Sequence, residues 1–170
     1  MKFFKATVFL LICMYTLQAQ NIKNKTKLSV DFIEFFQGDW SGEGQFSNGK
    51  KIEADASFKL SLDSCWLIYT HTDKPPNGYK AISILGIDKV TGKFLDYVFD
   101  NFQGHRLFAA KGWEQSGLIL TNTETKPATY FERFTYLKID TNKFKIIYEV
   151  SKDSVNWKLG DSLIFTKTDR

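Results

Sequence analysis

Cysteine, histidine and proline are scarce in this chain, at two, two and three residues out of 170. Cys13 lies in the first twenty residues, so Cys65 alone serves the remainder, and no internal disulfide can close there. With no activating histidine near it in sequence, Cys65 reads as a small buried hydrophobe. His71 and His105 have no His-x-His or Cys-x-x-Cys beside them and fall short of the three or four ligands of a zinc site, so no metal is expected. There is no Gly-x-Ser-x-Gly, no Cys-His spacing and no glycine-rich loop opening a helix, so motif-based nucleophilic catalysis and phosphate cradling are both excluded. A surplus of one charge is missing too: the formal net charge is +4, which makes no electrostatic case for nucleic acid or an anionic membrane.

The chain also lacks a run of the roughly 20 apolar residues that span a bilayer. Its longest apolar stretch, Ala6 to Leu17, follows two lysines and leads into Gln18-Ala19-Gln20. That order is expected of a secretory signal peptide over residues 1–19, cleaved after Ala19, with a secreted or periplasmic product and no membrane span left after cleavage. An uncleaved anchor and a lipid anchor at Cys13 are the alternatives, and bulky Ile12 fits the second poorly. Cleavage would remove Lys2 and Lys5 and leave a formal charge of +2. Residues 20–30, polar and lysine-rich, read as a flexible linker.

What is present in quantity is aromatic: sixteen Phe, seven Tyr and four Trp. Such a composition favours a sheet lined with rings. From Asp31 a short helix is expected, capped by Asp31 and ended by Gly38, with Phe32, Phe35 and Phe36 on one face. Trp40, Gly42, Gly44 and Phe46 then share one face of an alternating strand; glycines at inward positions suit tight curling, and Trp40 is expected as one large plug near the closed end.

Turn chemistry divides the rest into strands. Asn48-Gly49 marks a hairpin, and Ile52, Ala54, Ala56, Phe58, Leu60 and Leu62 alternate with polar residues. Pro75-Pro76 in a loop, Thr91-Gly92, Gln103-Gly104, Ser116-Gly117 and Asp140-Thr141-Asn142 punctuate the chain beyond that strand. The count is about ten strands joined by hairpin-length connections, whereas parallel pairs would need crossovers of a dozen or more residues. The fold class expected is all-β: an antiparallel up-and-down barrel over residues 31–170 with an N-terminal capping helix, a two-sheet sandwich being the alternative.

Gly38-Asp39-Trp40 resembles the Gly-x-Trp signature of the lipocalin-like, or calycin, group. Tyr69 to Ala81, Phe99-Asp100-Asn101-Phe102 and Gly112-Trp113 are similar to secreted bacterial lipocalin-like proteins of a domain-of-unknown-function family, over about residues 32 to 168. The resemblance implies a barrel and, by analogy, a small apolar or aromatic ligand. Nitrobindins are also ten-stranded barrels and hold haem on a histidine near the carboxyl end. This chain has no histidine after His105, so no cofactor is expected.

Two stretches, Trp66 to His71 and Tyr130 to Tyr136, carry large or polar groups on both faces, as the wall of a lumen would. The residues expected to touch a ligand are Trp40, Tyr69, His71, Tyr97, Trp113, Tyr130, Arg133 and Tyr148. The rival function is a small-molecule isomerase, lyase or hydrolase with His71, Asp100, His105 or Glu132 as acid and base. A third alternative is a filled barrel acting through its outer face, with the Pro75-Pro76 loop as contact.

Overall fold

The computed structural model describes residues 27–114, 117–122 and 130–168. The expected signal peptide, most of the expected linker and Ser116 of one expected turn lie outside these residues. Among those described, no helix is long and apolar enough to cross a membrane.

The chain opens with α1 (Val30–Phe36), which buries Phe32, Phe35 and Phe36 as the sequence pattern requires. Its N-cap is Ser29, slightly earlier than expected, and Asp31 sits instead in the first turn, where a carboxylate favours the helix dipole. Packed structure reaches back further still, since Leu28 is buried in the core.

Ten strands succeed it: β1 (Gly38–Phe46), β2 (Lys51–Ser61), β3 (Trp66–Asp73), β4 (Lys80–Ile87), β5 (Phe94–Asp100), β6 (His105–Ala110), β7 (Gly117–Asn122), β8 (Phe131–Lys138), β9 (Lys143–Ser151) and β10 (Trp157–Lys167). Each pairs antiparallel with its sequence neighbour, and β1 pairs with β10 from Trp40↔Lys167 to Phe46↔Asp161. The barrel is therefore closed.

The inward glycines of β1 do what the sequence pattern suggests. A Cβ on Gly42 would meet the Phe165 ring at 2.5 Å, and one on Gly44 would run into the backbone at Ser162. Their absence lets β1 and β10 close on each other while the Phe165 ring lies flat on Phe144, 5.1 Å away.

Two expectations at the β2–β3 turn are corrected. Leu62 does not continue the inward row of β2. It is 71% exposed and takes up, with Asp63 and Ser64, a left-handed backbone conformation that reverses the chain. Cys65 ends that turn and is exposed, where a buried side chain was expected.

The buried core runs along the barrel, and a cluster of large rings fills one end of it. Helix α1 plugs the end where β1 begins: the Phe36 ring packs 5.0 Å from Phe58, 5.3 Å from Trp113 and 5.2 Å from Phe144. Trp40 is 1% exposed against Phe35 and Phe144, and its indole N–H donates to the Phe36 carbonyl at 2.8 Å. Fully burying such rings stabilises by about 2–3 kcal/mol each, which makes this plug the main apolar support of the fold.

Candidate functional site

Beyond the plug the barrel is hollow. A cavity of about 590 Å³ opens at the other end, within the usual size of a small-molecule site. Small inward residues on β4 leave space there: Ala81 and Ser83 line the cavity and are buried. The 74–79 loop and the 101–104 turn form its rim. Asn101 braces the two together, accepting from the Lys80 N–H at 2.9 Å and donating to the Gly78 carbonyl at 2.8 Å.

The inward face of β3 reads Leu67, Tyr69, His71, Asp73, with the buried and part-exposed positions in strict alternation. What looks in sequence like broken alternation is a regular strand whose inward face turns polar toward the mouth. The three polar side chains form a chain of hydrogen bonds: Tyr69 Oη to His71 Nδ1 at 2.8 Å, and His71 Nε2 to Asp73 Oδ1 at 2.8 Å. Both ring nitrogens of His71 are thus taken by protein groups. Burial holds the Tyr69 hydroxyl well above its ordinary pKa, so it stays protonated.

A second network is centred on Arg106, a residue not anticipated from sequence. Its guanidinium donates to Glu132 at 2.9 Å, to Asp100 at 2.9 Å and to the Tyr79 hydroxyl at 3.0 Å. Glu132 also accepts from the Tyr148 hydroxyl at 2.7 Å. Local turn geometry places Asp100: its Oδ1 accepts from the backbone of Phe102 and Gly104, each at 3.0 Å, leaving Oδ2 for Arg106. A Cβ on Gly104 would sit 2.6 Å from that Oδ2, so a side chain there would push Asp100 out of this arrangement. Across the lumen, the β10 bulge at Gly160 makes room for the Tyr148 ring, which a Cβ would meet at 2.6 Å, and sets Asp161 facing inward.

Two carboxyls stand apart from these networks. Asp96, 1% exposed on the inward face of β5, lines the cavity, and its Oδ1 has no hydrogen-bond partner among the described residues. Burial pushes its pKa up to about 7, against smaller pulls from a Ser83 hydrogen bond and the Arg106 charge. Burial likewise raises Asp161 to about 6, while the charge of His71 works the other way. The Nε of Arg106 is also without a partner among the described residues.

Measured against expectation, Tyr69, His71 and Tyr148 line the cavity, as does Asp100. Glu132 stands behind Arg106 in the wall. The structure places the remaining expected residues away from the cavity wall. Trp40 and Trp113 point inward but belong to the plug. Tyr97 falls on the outer face of β5, 37% exposed beside Trp66, because Asp96 and Val98 take the inward positions. Arg133 also points outward, paired with Glu149 at 2.7 Å and stacked 4.1 Å from the Trp157 ring. Tyr130 is 49% exposed ahead of β8 and hydrogen-bonded to Tyr148, outside the cavity wall. His105 is exposed and away from the cavity.

Asp96 could have been found in sequence. In Phe94-Leu95-Asp96-Tyr97-Val98 it shares a face with Phe94 and Val98, a carboxylate on the apolar side of its strand. Among the described residues, no group of three His, Cys, Asp or Glu side chains is placed to hold a metal ion.

No protein-family model and no curated protein matches the chain. Among solved structures, the crystal structure of Rv2717c from M. tuberculosis is similar, with 10% sequence identity and a TM-score of 0.54 over 84% of this chain and 100% of that one. At that identity the likeness concerns architecture alone, and architecture is what it supports: a closed, ten-stranded antiparallel β-barrel.

Proposed function

We propose that the protein is a secreted or periplasmic binding barrel that holds a small hydrophobic or aromatic molecule in the open half of its lumen. The observation that carries this reading is the hollow itself: about 590 Å³ lined by Val98, Phe134, Ile146 and Leu163 together with the polar groups above. An apolar cavity with a few oriented polar groups is the common form of a small-molecule site. Export rests on the amino-terminal pattern of residues 1–19.

Geometry favours binding over the acid–base alternative. Both nitrogens of His71 are engaged by Tyr69 and Asp73, and His105 lies outside the cavity. Asp100 and Glu132 are held by Arg106. A general acid or base must exchange a proton with the substrate; His71 and Asp100 line the cavity but are engaged by neighbouring side chains, as is Glu132, and His105 lies outside it.

The test is titration of the purified barrel with a panel of fatty acids, retinoids and aromatic compounds, read by calorimetry. One class should bind with one-to-one stoichiometry, and Ala81→Trp, which plugs the lumen, should abolish it. No binding across the panel, or binding indifferent to the plug, sinks the reading.

A further inference from the structure

The charges around the lumen do not balance. Arg106 meets two carboxylates, Asp100 and Glu132, so that trio carries a net negative charge. Asp73 is matched by His71 only when the imidazole is protonated. Lys50 stands at the mouth and is exposed. Among the described residues, neither Asp96 nor Asp161 forms an ion pair with a lysine or arginine. An ionised carboxylate out of water is costly unless a donor or a positive charge meets it, and no described residue meets Asp96 Oδ1.

Resting on the binding reading above, we propose that the guest carries a protonated amine, received by Asp96 deep in the lumen and assisted by Asp161, with an aromatic or apolar body lying against Val98, Ile146 and Leu163. An ammonium supplies what neither carboxyl has among the described residues, a directly paired cation that also donates N–H bonds. Charge-assisted hydrogen bonds of this kind are the strong ones, more so where water is thin. A carboxylate guest would meet Arg106 already neutralised and would face the surplus of negative charge. A neutral guest could satisfy Asp96 only by hydrogen bonding.

The groups facing Asp96 are Ser83 from β4, Arg106 from β6, and the hydroxyls of Tyr69 from β3 and Tyr136 from β8. Both tyrosines are held well above their ordinary pKa by burial, so neither ionises near neutrality. His71 and Asp73 face Asp161 on the far side. Amine binding should therefore strengthen as Asp96 ionises between about pH 5 and about pH 8.

Three matched indoles separate the cases by calorimetry: tryptamine, tryptophol and indole-3-acetate share a ring and differ in the end group. Tryptamine should bind about ten- to a hundredfold more tightly than tryptophol at about pH 8, with indole-3-acetate weakest. The preference should shrink toward about pH 5, vanish in Asp96→Asn and fall by a smaller factor in Asp161→Asn. The second variant and the wild-type pH series carry the test should the first fail to fold. Equal affinity for amine and alcohol, a preference for the acid, or a preference untouched by both variants overturns the inference and leaves a binding barrel standing. Failure of all three indoles overturns it too, and the broader panel then decides whether the binding reading falls with it.

Discussion

The two ends of this barrel are built from the same strands and do opposite things. Along β10 the inward residues run Asp161, Leu163, Phe165, and along β9 they run Tyr148, Ile146, Phe144, each from the open end to the plugged one. β5 runs from Asp100 through Val98 to Phe94 in the same sense, interrupted by the deep carboxyl of Asp96. At the plugged end, large rings meet at 4.7–6.3 Å and fill the interior. At the open end, alanine and serine line the cavity on β4, and charged groups share the space that remains. Stability is thus concentrated at one end, and the other is free to keep groups that a solid core would not tolerate.

The largest test of that division is Trp40→Ala. It removes a fully buried ring and its hydrogen bond to Phe36, and should cost about 3–5 kcal/mol in chemical denaturation. A loss under about 1 kcal/mol would mean the plug does not carry the fold.

Next comes the pH dependence of stability. Unfolded, an aspartate titrates near 4, whereas Asp96 is held at about 7, so the folded barrel binds its proton more tightly. The stability this gives is complete below about pH 4 and is lost as pH rises through about 7, up to about 4 kcal/mol in all. Asp161 acts in the same direction with its loss complete above about pH 6. Asp96→Asn should therefore match wild type at about pH 4 and exceed it in melting temperature at about pH 8. A wild type that gains stability over this interval, with the variant moving in parallel, would show that a guest-free lumen does not strain this carboxyl.

A smaller effect is expected where the two strands close. Gly42→Val would drive Phe165 off Phe144 and should cost about 1–3 kcal/mol by overpacking. The smallest effect is expected at the mouth. Tyr148→Phe, which deletes the hydroxyl bonded to Glu132, should cost about 1 kcal/mol. A loss there as large as that of Trp40→Ala would erase the distinction between the ends.

The plugged end is largely legible in the sequence. Phe32, Phe35 and Phe36 at helical spacing, and Trp40, Gly42 and Gly44 at strand spacing, each come from one periodicity and local turn chemistry. The open end is not, because its inward faces break the rule that polar residues turn to water. On β3, Tyr69, His71 and Asp73 alternate regularly, but inward, and hydropathy alone reads that as disorder in the pattern. Elsewhere the difference is one of register: a slip of one residue moves a side chain to the other face. Hence Asp96 faces inward where its neighbour Tyr97 is expected, and on β8 Glu132 is buried while Arg133 lies on the outer surface; the lumen's arginine, Arg106, comes from another strand. Trp40, expected both as a plug and as a ligand contact, and Trp113 show a third limit. Alternation tells inside from outside, but which end of the barrel a ring fills depends on closure by β1 and β10, a contact between residues over a hundred positions apart.

The division between the ends is tested most directly by methyl-resolved NMR of the labelled barrel titrated with tryptamine. Val98, Ile146 and Leu163 should shift together and saturate together, while Leu67, Leu85 and Leu118 by the plug stay in place. Shifts centred on the plug, or none in the open half at saturating ligand, would contradict it.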